Sequence, residues 1–298
     1  MNRPFDQYKK KVLFIINPVS GVKDKKYIEK IIENKIDHNK FSWEIKYSQE
    51  RFHATRLAEE AVKAGFNIIV AVGGDGTVNE VSKSLVNTNV FFGIIPVGSG
   101  NGLARSLNIP LNISKAIKTI NNSRFMKIDT IKINDDSFVN MAGVGFDAYI
   151  GHLFANYGKR GFKSYVKLIL KEAFKYKSDT YQLIADDKTI ETKAFLISFA
   201  NSTQFGNNAH IAPLAEINDG LIDICILEKI VWWQSLFLIL LMYTKKISYS
   251  KYYKLVKAKQ IEISFPENLV MHLDGDPVRF NSIVRMEIVP ESLNVIVP

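Results

Sequence analysis

The chain is 298 residues long, 47% apolar and 23% charged, with a net charge of +9 and a single cysteine, Cys225. That length suggests two domains, the composition excludes disorder and collagen-like or mucin-like architectures, and one cysteine excludes an internal disulfide or a thiolate metal cluster. The basic surplus favours anionic partners: nucleic acid, an acidic bilayer surface or phosphorylated small molecules.

In chain order, residues 12–16 read as a short buried strand, broken by Asn17-Pro18-Val19-Ser20-Gly21. Tyr27, Ile28, Ile31, Ile32 and Ile36 then recur at helical spacing. Phe41, Trp43, Ile45 and Tyr47 alternate with polar residues, as in a half-buried strand. Residues 53–64 read as helix and 67–72 as a buried strand running into Gly73-Gly74-Asp75-Gly76-Thr77. A helix over 78–86, a strand over 91–95, a glycine-rich loop and a helix from about Leu103 follow. This rhythm predicts an open, mostly parallel sheet covered by helices.

Past Asp129 the texture changes. Helices are expected near 163–176 and 231–243, and strands at 195–199, 221–227, 260–265, 284–289 and 294–297. Consecutive strands with turn signals predict an antiparallel second domain. The expected division is 1–130 and 131–298, with the last strand a candidate to return to the first domain.

The MNRPFDQYKKK start lacks an apolar signal core, and the stretch between Lys229 and Lys245 holds fifteen residues where a membrane span needs about 20. With the cysteine usage, this predicts a cytoplasmic protein that does not cross the membrane. Two segments, 151–180 and 243–260, concentrate Lys and Arg. They read either as solvated surface or, with Trp232-Trp233 between them, as a docking face for anionic lipid.

Two strand–glycine loop–helix junctions carry the chemical signal. The first is Gly73-Gly74-Asp75-Gly76, where Thr77 and Glu80 form the T-x-x-E pattern of a capping box and predict a helix start. The second is Gly98-Ser99-Gly100-Asn101-Gly102 after Ile94-Ile95-Pro96. Helix N-termini expose N–H groups and positive dipole, and glycine lets a phosphate approach the backbone. Together with the Asn17 loop they predict a nucleotide site at the carboxyl ends of the parallel strands. Glu80 reads equally as a cap of its own helix. No Walker loop, protein-kinase signature, G-x-S-x-G elbow or H-x-x-x-H zinc pair is present. Gly143-Val144-Gly145 sits among expected strands and is discounted as a dinucleotide turn.

The set Asn17-Pro18-Val19-Ser20-Gly21, Gly73-Gly74-Asp75-Gly76-Thr77, Pro96-Val97-Gly98-Ser99-Gly100-Asn101 and Leu273-Asp274-Gly275-Asp276 resembles the diacylglycerol kinase catalytic-domain family, which includes bacterial lipid kinases and sphingosine kinases. The resemblance implies an N-terminal open α/β (Rossmann-like, NAD kinase-type) domain and a C-terminal β-sandwich, with ATP and Mg²⁺ as cofactors. It implies phosphorylation of a lipid hydroxyl, on diacylglycerol, a sphingoid base or a related acceptor, at the inner face of the membrane and without a nucleic-acid partner. By position, Asn17, Pro18, Ser48, Gly73, Gly74, Asp75, Gly76, Thr77, Val78, Asn79, Glu80, Ser99, Gly100 and Asn101 would surround the nucleotide. Asp75 and Asp129 would lie near the phosphates and Mg²⁺, and Asp219 with the carbonyls of Glu216 and Leu221 would hold a structural Mg²⁺. Asp276 stands where the family carries a glutamate proposed as general base; sphingosine kinases assign that role to the aspartate at Asp75. Gly102 stands where many bacterial members carry an acid.

Asp147 resembles a residue that contacts the sphingoid head group, and reads as well as a buried helix cap. Lys159, Arg160 and Lys163 are candidates to approach the phosphates. On its own, Asp274-Gly275 reads as a hairpin turn. An NAD kinase-like activity on a soluble dinucleotide, or a catalytically silent lipid-binding module, are the alternatives.

Overall fold

The computed structural model describes residues 9–19, 25–155, 162–228, 232–265, 269–281 and 283–298. The chain forms two compact units: one of Met1–Gly98, Asn108–Met126 and Leu293–Pro298, the other of Ser99–Leu107 and Lys127–Ser292.

The first part of the chain runs β1 (Lys10–Ile16), α1 (Lys25–Lys35), β2 (Phe41–Tyr47), α2 (His53–Lys63), β3 (Ile68–Gly73), α3 (Asp75–Lys83), β4 (Phe91–Pro96), α4 (Gly102–Ser106) and α5 (Ile113–Asn122). All but α4 belong to the first unit. Its strands are parallel in the order β4-β3-β1-β2. A parallel sheet covered on both faces needs strands that are apolar throughout, and every residue of β3, Ile-Ile-Val-Ala-Val-Gly, is buried. The helices cover it with one apolar stripe each: α5 buries Ile113, Ala116, Ile117 and Ile120, and starts on Asn112, whose side chain accepts the Lys115 N–H. Register decides what this scaffold presents. Ile16 lies opposite both Tyr47 and Val72, and Gly73 opposite Pro96, so Asn17, Ser48, Gly74 and Val97 leave the sheet at one end.

The remainder runs β5 (Phe125–Ile133), β6 (Asp136–Phe138), β7 (Met141–Gly145), α6 (Phe146–Ala155), α7 (Phe162–Glu172), β8 (Asp179–Ala185), β9 (Lys188–Ala200), β10 (Ile222–Glu228), α8 (Trp232–Tyr243), β11 (Tyr253–Ala258), β12 (Gln260–Ser264), β13 (Leu269–Leu273), β14 (Asp276–Phe280) and β15 (Val284–Ile296). Within the second unit the strands pair antiparallel. The thirteen-residue β9 organises it: its first half pairs with β8, and its second half lies between β7 and β10. One apolar cluster gathers Phe138, Phe199, Ile224 and Met271; a second gathers Phe146, Phe195, Leu227 and Leu238 beneath the helices.

Three expectations are corrected. Helix α6 is an addition to the two helices expected past Asp129. Helix α3 starts at Asp75 rather than Thr77: its N-cap is Gly74, which has no side chain to cap it, and the Val78 N–H already donates to the Gly74 carbonyl. The capping box is not formed. The strands expected at 284–289 and 294–297 are one strand, β15, which continues past Pro290 through Glu291 at φ 48°. Its last residues belong to the first unit, where Asn294 and Val295 pair in parallel with Phe91 and Phe92 of β4. Among the described residues no helix is long and apolar enough to cross a membrane.

Candidate functional site

In the first unit the candidate nucleotide loops converge at the carboxyl ends of the strands. The Asn17 N–H donates to the Val72 carbonyl and the Ser48 N–H to Ile16, while the Val97 N–H donates to Gly73. Asn17 closes a local turn by accepting the Val19 N–H on its side chain (2.9 Å), with Pro18 inside that turn. A Cβ at Gly73 would overlap the Thr77 side chain, and one at Gly74 would lie 3.2 Å from the Gly98 Cα. Glycine at 73 thus leaves room for Thr77, and glycine at 74 eases the close approach of the second loop.

Helix α3 thus begins with the positive end of its dipole and a glycine N-cap, which offers no side chain. In its first turn, Asp75 and Gly76 are half-buried and the Thr77 hydroxyl is buried with no hydrogen-bond partner among the described residues. Val78 and Asn79 are buried behind them. Glu80 does not cap its own helix: its carboxylate accepts the N–H of Ala54 at the start of α2 (3.1 Å), and its carbonyl accepts the Thr55 hydroxyl.

The rest of the second glycine loop belongs to the second unit. The Gly100 carbonyl accepts Arg105 Nε (3.0 Å) and the Asn207 N–H (3.2 Å), and a Cβ on Gly206 would press on the Gly100 backbone at 3.0 Å. Ser99 leads into this loop, and buried Asn101, at φ 53°, ends it as the N-cap of α4. A Cβ at Gly102 would meet Asn140 and the carbonyls of Gln204 and Phe205, so no acidic side chain fits there.

Asp274 and Gly275, at φ 50° and 93°, form a two-residue hairpin turn between β13 and β14, with Leu273 opposite Asp276. Positive φ at both positions matches the twist of antiparallel strands and explains the Asp-Gly pair. The turn also serves the candidate site. The buried Asp274 carboxylate accepts three backbone N–H groups, from Val139 (3.0 Å), Asn140 (2.9 Å) and Met141 (2.8 Å). That anchor fixes the loop on which Asp276 sits half-buried at the first position of β14.

Asp147 lies in the first turn of α6. Its Oδ1 accepts the Ala148 N–H (2.7 Å), and its Oδ2 accepts the Ser198 hydroxyl and faces His272 Nε2, both at 3.2 Å. No local pattern marks His272, which comes from β13, 125 residues away. A Cβ at Gly143 would overlap both partners of the pair, which accounts for one glycine of Gly143-Val144-Gly145.

The acidic residues expected to hold Mg²⁺ fit it unequally. Asp129 is fully buried, and its two oxygens accept the N–H groups of Glu291 (2.7 Å) and Gly220 (2.8 Å). It fixes the bend of β15 and the 217–220 loop, a role that leaves its carboxylate facing backbone donors. Asp219 accepts the Leu221 N–H on Oδ1 and the Lys257 ammonium on Oδ2 (2.8 Å), and Lys257 also lies 3.5 Å from Asp223. A cation therefore already occupies the outer face of that carboxylate, with Glu216 exposed beside it, and this set does not fit a structural Mg²⁺.

Burial pushes the Asp223 carboxyl up to about 6, with Lys257 pulling the other way. Burial disfavours the Lys257 charge, but its contacts with Asp219 and Asp223 outweigh this and raise its pKa. Among the described residues no three His, Cys, Asp or Glu side chains form a metal cage. Nucleotide-bound Mg²⁺ needs only one or two carboxylates besides the phosphates, and Asp75 suits that part. Lys159 and Arg160 and the side chains of Lys163, Trp232 and Trp233 lie outside the described residues.

Residues 11–133 match the diacylglycerol kinase catalytic domain, and residues 140–297 match the YegS C-terminal NAD kinase beta sandwich-like domain. A probable lipid kinase YegS-like protein of Chromohalobacter salexigens is 28% identical over 260 residues, 85% of this chain and 83% of that protein. A diacylglycerol kinase of Bacillus subtilis is 28% identical over 284 residues, 90% of each. The crystal structure of a diacylglycerol kinase from Bacillus anthracis superposes with a TM-score of 0.74 over 97% of both chains at 23% identity, a likeness of fold.

Proposed function

The chain belongs to the diacylglycerol kinase catalytic-domain family, and from that membership we propose that it is an ATP- and Mg²⁺-dependent lipid kinase, transferring the γ-phosphate to the hydroxyl of diacylglycerol, a sphingoid base or a related lipid. The observation that carries the reading is the start of α3: two glycines, one of them the helix N-cap, and the buried hydroxyl of Thr77, which has no hydrogen-bond partner among the described residues. Backbone N–H groups and a helix dipole at such a place suit phosphate oxygens, and the Thr77 hydroxyl supplies one more donor. Asn17 and Ser48, whose loops leave the same end of the parallel sheet, complete the nucleotide's surroundings within the first unit. Asp75 would hold Mg²⁺, which when bound would supply positive charge to offset the charge that develops during transfer.

Asp276 is the proton acceptor for the lipid hydroxyl. Its carboxylate is half-buried on a strand fixed by the Asp274 anchor, so its position is set before substrate arrives. Asp147, held by Ser198 and His272, contributes a polar group for the acceptor's head. Because the acceptor is a bilayer component, the enzyme works peripherally at the inner face of the membrane.

The test is incubation with γ-labelled ATP, Mg²⁺, a total lipid extract and NAD, followed by chromatography. A labelled lipid is expected. Labelled NADP would instead make this a dinucleotide kinase, and no labelled product would make it a silent lipid-binding module.

A further inference from the structure

Helix α8, Trp-Trp-Gln-Ser-Leu-Phe-Leu-Ile-Leu-Leu-Met-Tyr, is apolar on nearly every side. Helices of that kind are enclosed by protein or sit in lipid. One side is enclosed: Leu238 is 2% exposed, and Leu241 and Met242 pack against the cluster around Phe146, Phe195 and Leu227. The other side is not. Phe237, Leu240 and Tyr243, three residues apart and therefore on one face, are 56%, 57% and 39% exposed. The turn that follows carries Tyr249 at 85% exposure.

Charge identifies the occupant. Residues 229–260 contain seven lysines and no acid. Lys254 is paired with Glu228, and Lys257 with Asp219 and Asp223. Lys245, Lys246 and Lys251 are exposed and make no ion pair with the described residues. We propose that the outward face of α8, with Tyr249 and these three lysines, docks on an anionic lipid bilayer and inserts shallowly into it.

Twelve residues are too few to span a bilayer, but an apolar face with basic residues beside it suits the headgroup boundary. A second copy of the chain meeting this face about a two-fold axis would bring six lysines together, which disfavours self-association. The inference rests on the lipid-kinase reading, because a bilayer-resident acceptor brings the enzyme to such a surface.

The test uses sedimentation of the full chain with vesicles of two parts phosphatidylcholine to one part phosphatidylglycerol. Phe237→Ser with Leu240→Ser should weaken partitioning about tenfold, since roughly half of each side chain leaves the lipid. Lys245→Gln, Lys246→Gln and Lys251→Gln together should weaken it by about a hundredfold at low salt, at about a fivefold loss per lysine. Both variants should melt like the wild type and phosphorylate a short-chain, water-dispersed diacylglycerol at the wild-type rate.

Undiminished vesicle binding in either variant would overturn the docking face. So would a wild-type dimer that the Phe237→Ser, Leu240→Ser variant dissociates, since the face would then serve self-association. Wild-type protein inert toward every lipid acceptor would instead overturn the kinase reading, with the vesicle data still decisive for the face.

Discussion

Replacing Asp274 separates anchoring from chemistry within the Asp274-Gly275-Asp276 turn. The Asp274 carboxylate accepts N–H groups from three consecutive residues, Val139, Asn140 and Met141, and all of these groups are buried. Hydrogen bonds to a charged acceptor contribute about 1.5–3 kcal/mol each, and leaving buried donors unpaired costs a similar amount. The three share one carboxylate and do not add in full, so Asp274→Ala should cost about 4 kcal/mol. Alanine at φ 50° adds roughly 1 kcal/mol of backbone strain. For a unit of this size the loss corresponds to about 10–20 °C in Tm.

Asp274→Asn keeps one carbonyl oxygen and tolerates the left-handed backbone, so about 2 kcal/mol is expected. Thermal melts followed by circular dichroism give the two values, and kcat should fall in the same order as the loosened hairpin displaces Asp276. An Asp274→Ala protein that melts with the wild type would refute the anchoring argument. If it were also inert, Asp274 would have to be a reacting group.

Asp276→Asn should lower kcat by roughly 10²–10⁴-fold with little change in Tm or ATP affinity, and Asp276→Glu should keep substantial activity, measured by single-turnover rates and ATP titration. Asp75→Asn should weaken ATP·Mg²⁺ binding as well as turnover; normal binding by an inert Asp75→Asn, with full activity in Asp276→Asn, would exchange the two roles. Thr77→Val removes a buried hydroxyl that has no partner among the described residues, so Tm should hold or rise while ATP affinity falls about tenfold, the value of one hydrogen bond. The Asp223 carboxyl lies at about 6 when folded against an ordinary 3.8. Its raised value means the folded state holds the proton more tightly, so its contribution is full below pH 3.8 and is lost as pH rises through about 6, up to ~3 kcal/mol. Asp223→Asn should flatten that part of the stability–pH profile measured by urea unfolding.

Local patterns made much of this protein legible in its amino-acid order. Strands β1, β3 and β4 lie inside a covered parallel sheet, so each is a contiguous apolar run that stands out without an alignment. The glycines of the β3–α3 junction mark a close backbone approach, and Asp274-Gly275 marks a two-residue turn, because those backbone conformations are local and favour few residue types. Where local pattern and tertiary packing disagreed, packing prevailed: Thr77 and Glu80 spell a capping box, but the Glu80 carboxylate accepts the Ala54 N–H of α2 instead.

The carboxylates divide along the same line. Their positions suggested ligands, yet a buried carboxylate takes whatever donors the fold brings to it, and those donors are remote in sequence. Asp129 meets the N–H of Glu291 across 162 residues, Asp274 that of Met141 across 133, Asp147 the ring of His272 across 125, and Asp219 the ammonium of Lys257 across 38. Residue order sets which groups carry charge; only the packed chain decides which charges are answered from within and which, as at Lys245, Lys246 and Lys251, are left facing outward, because desolvation compels the buried groups alone to find partners.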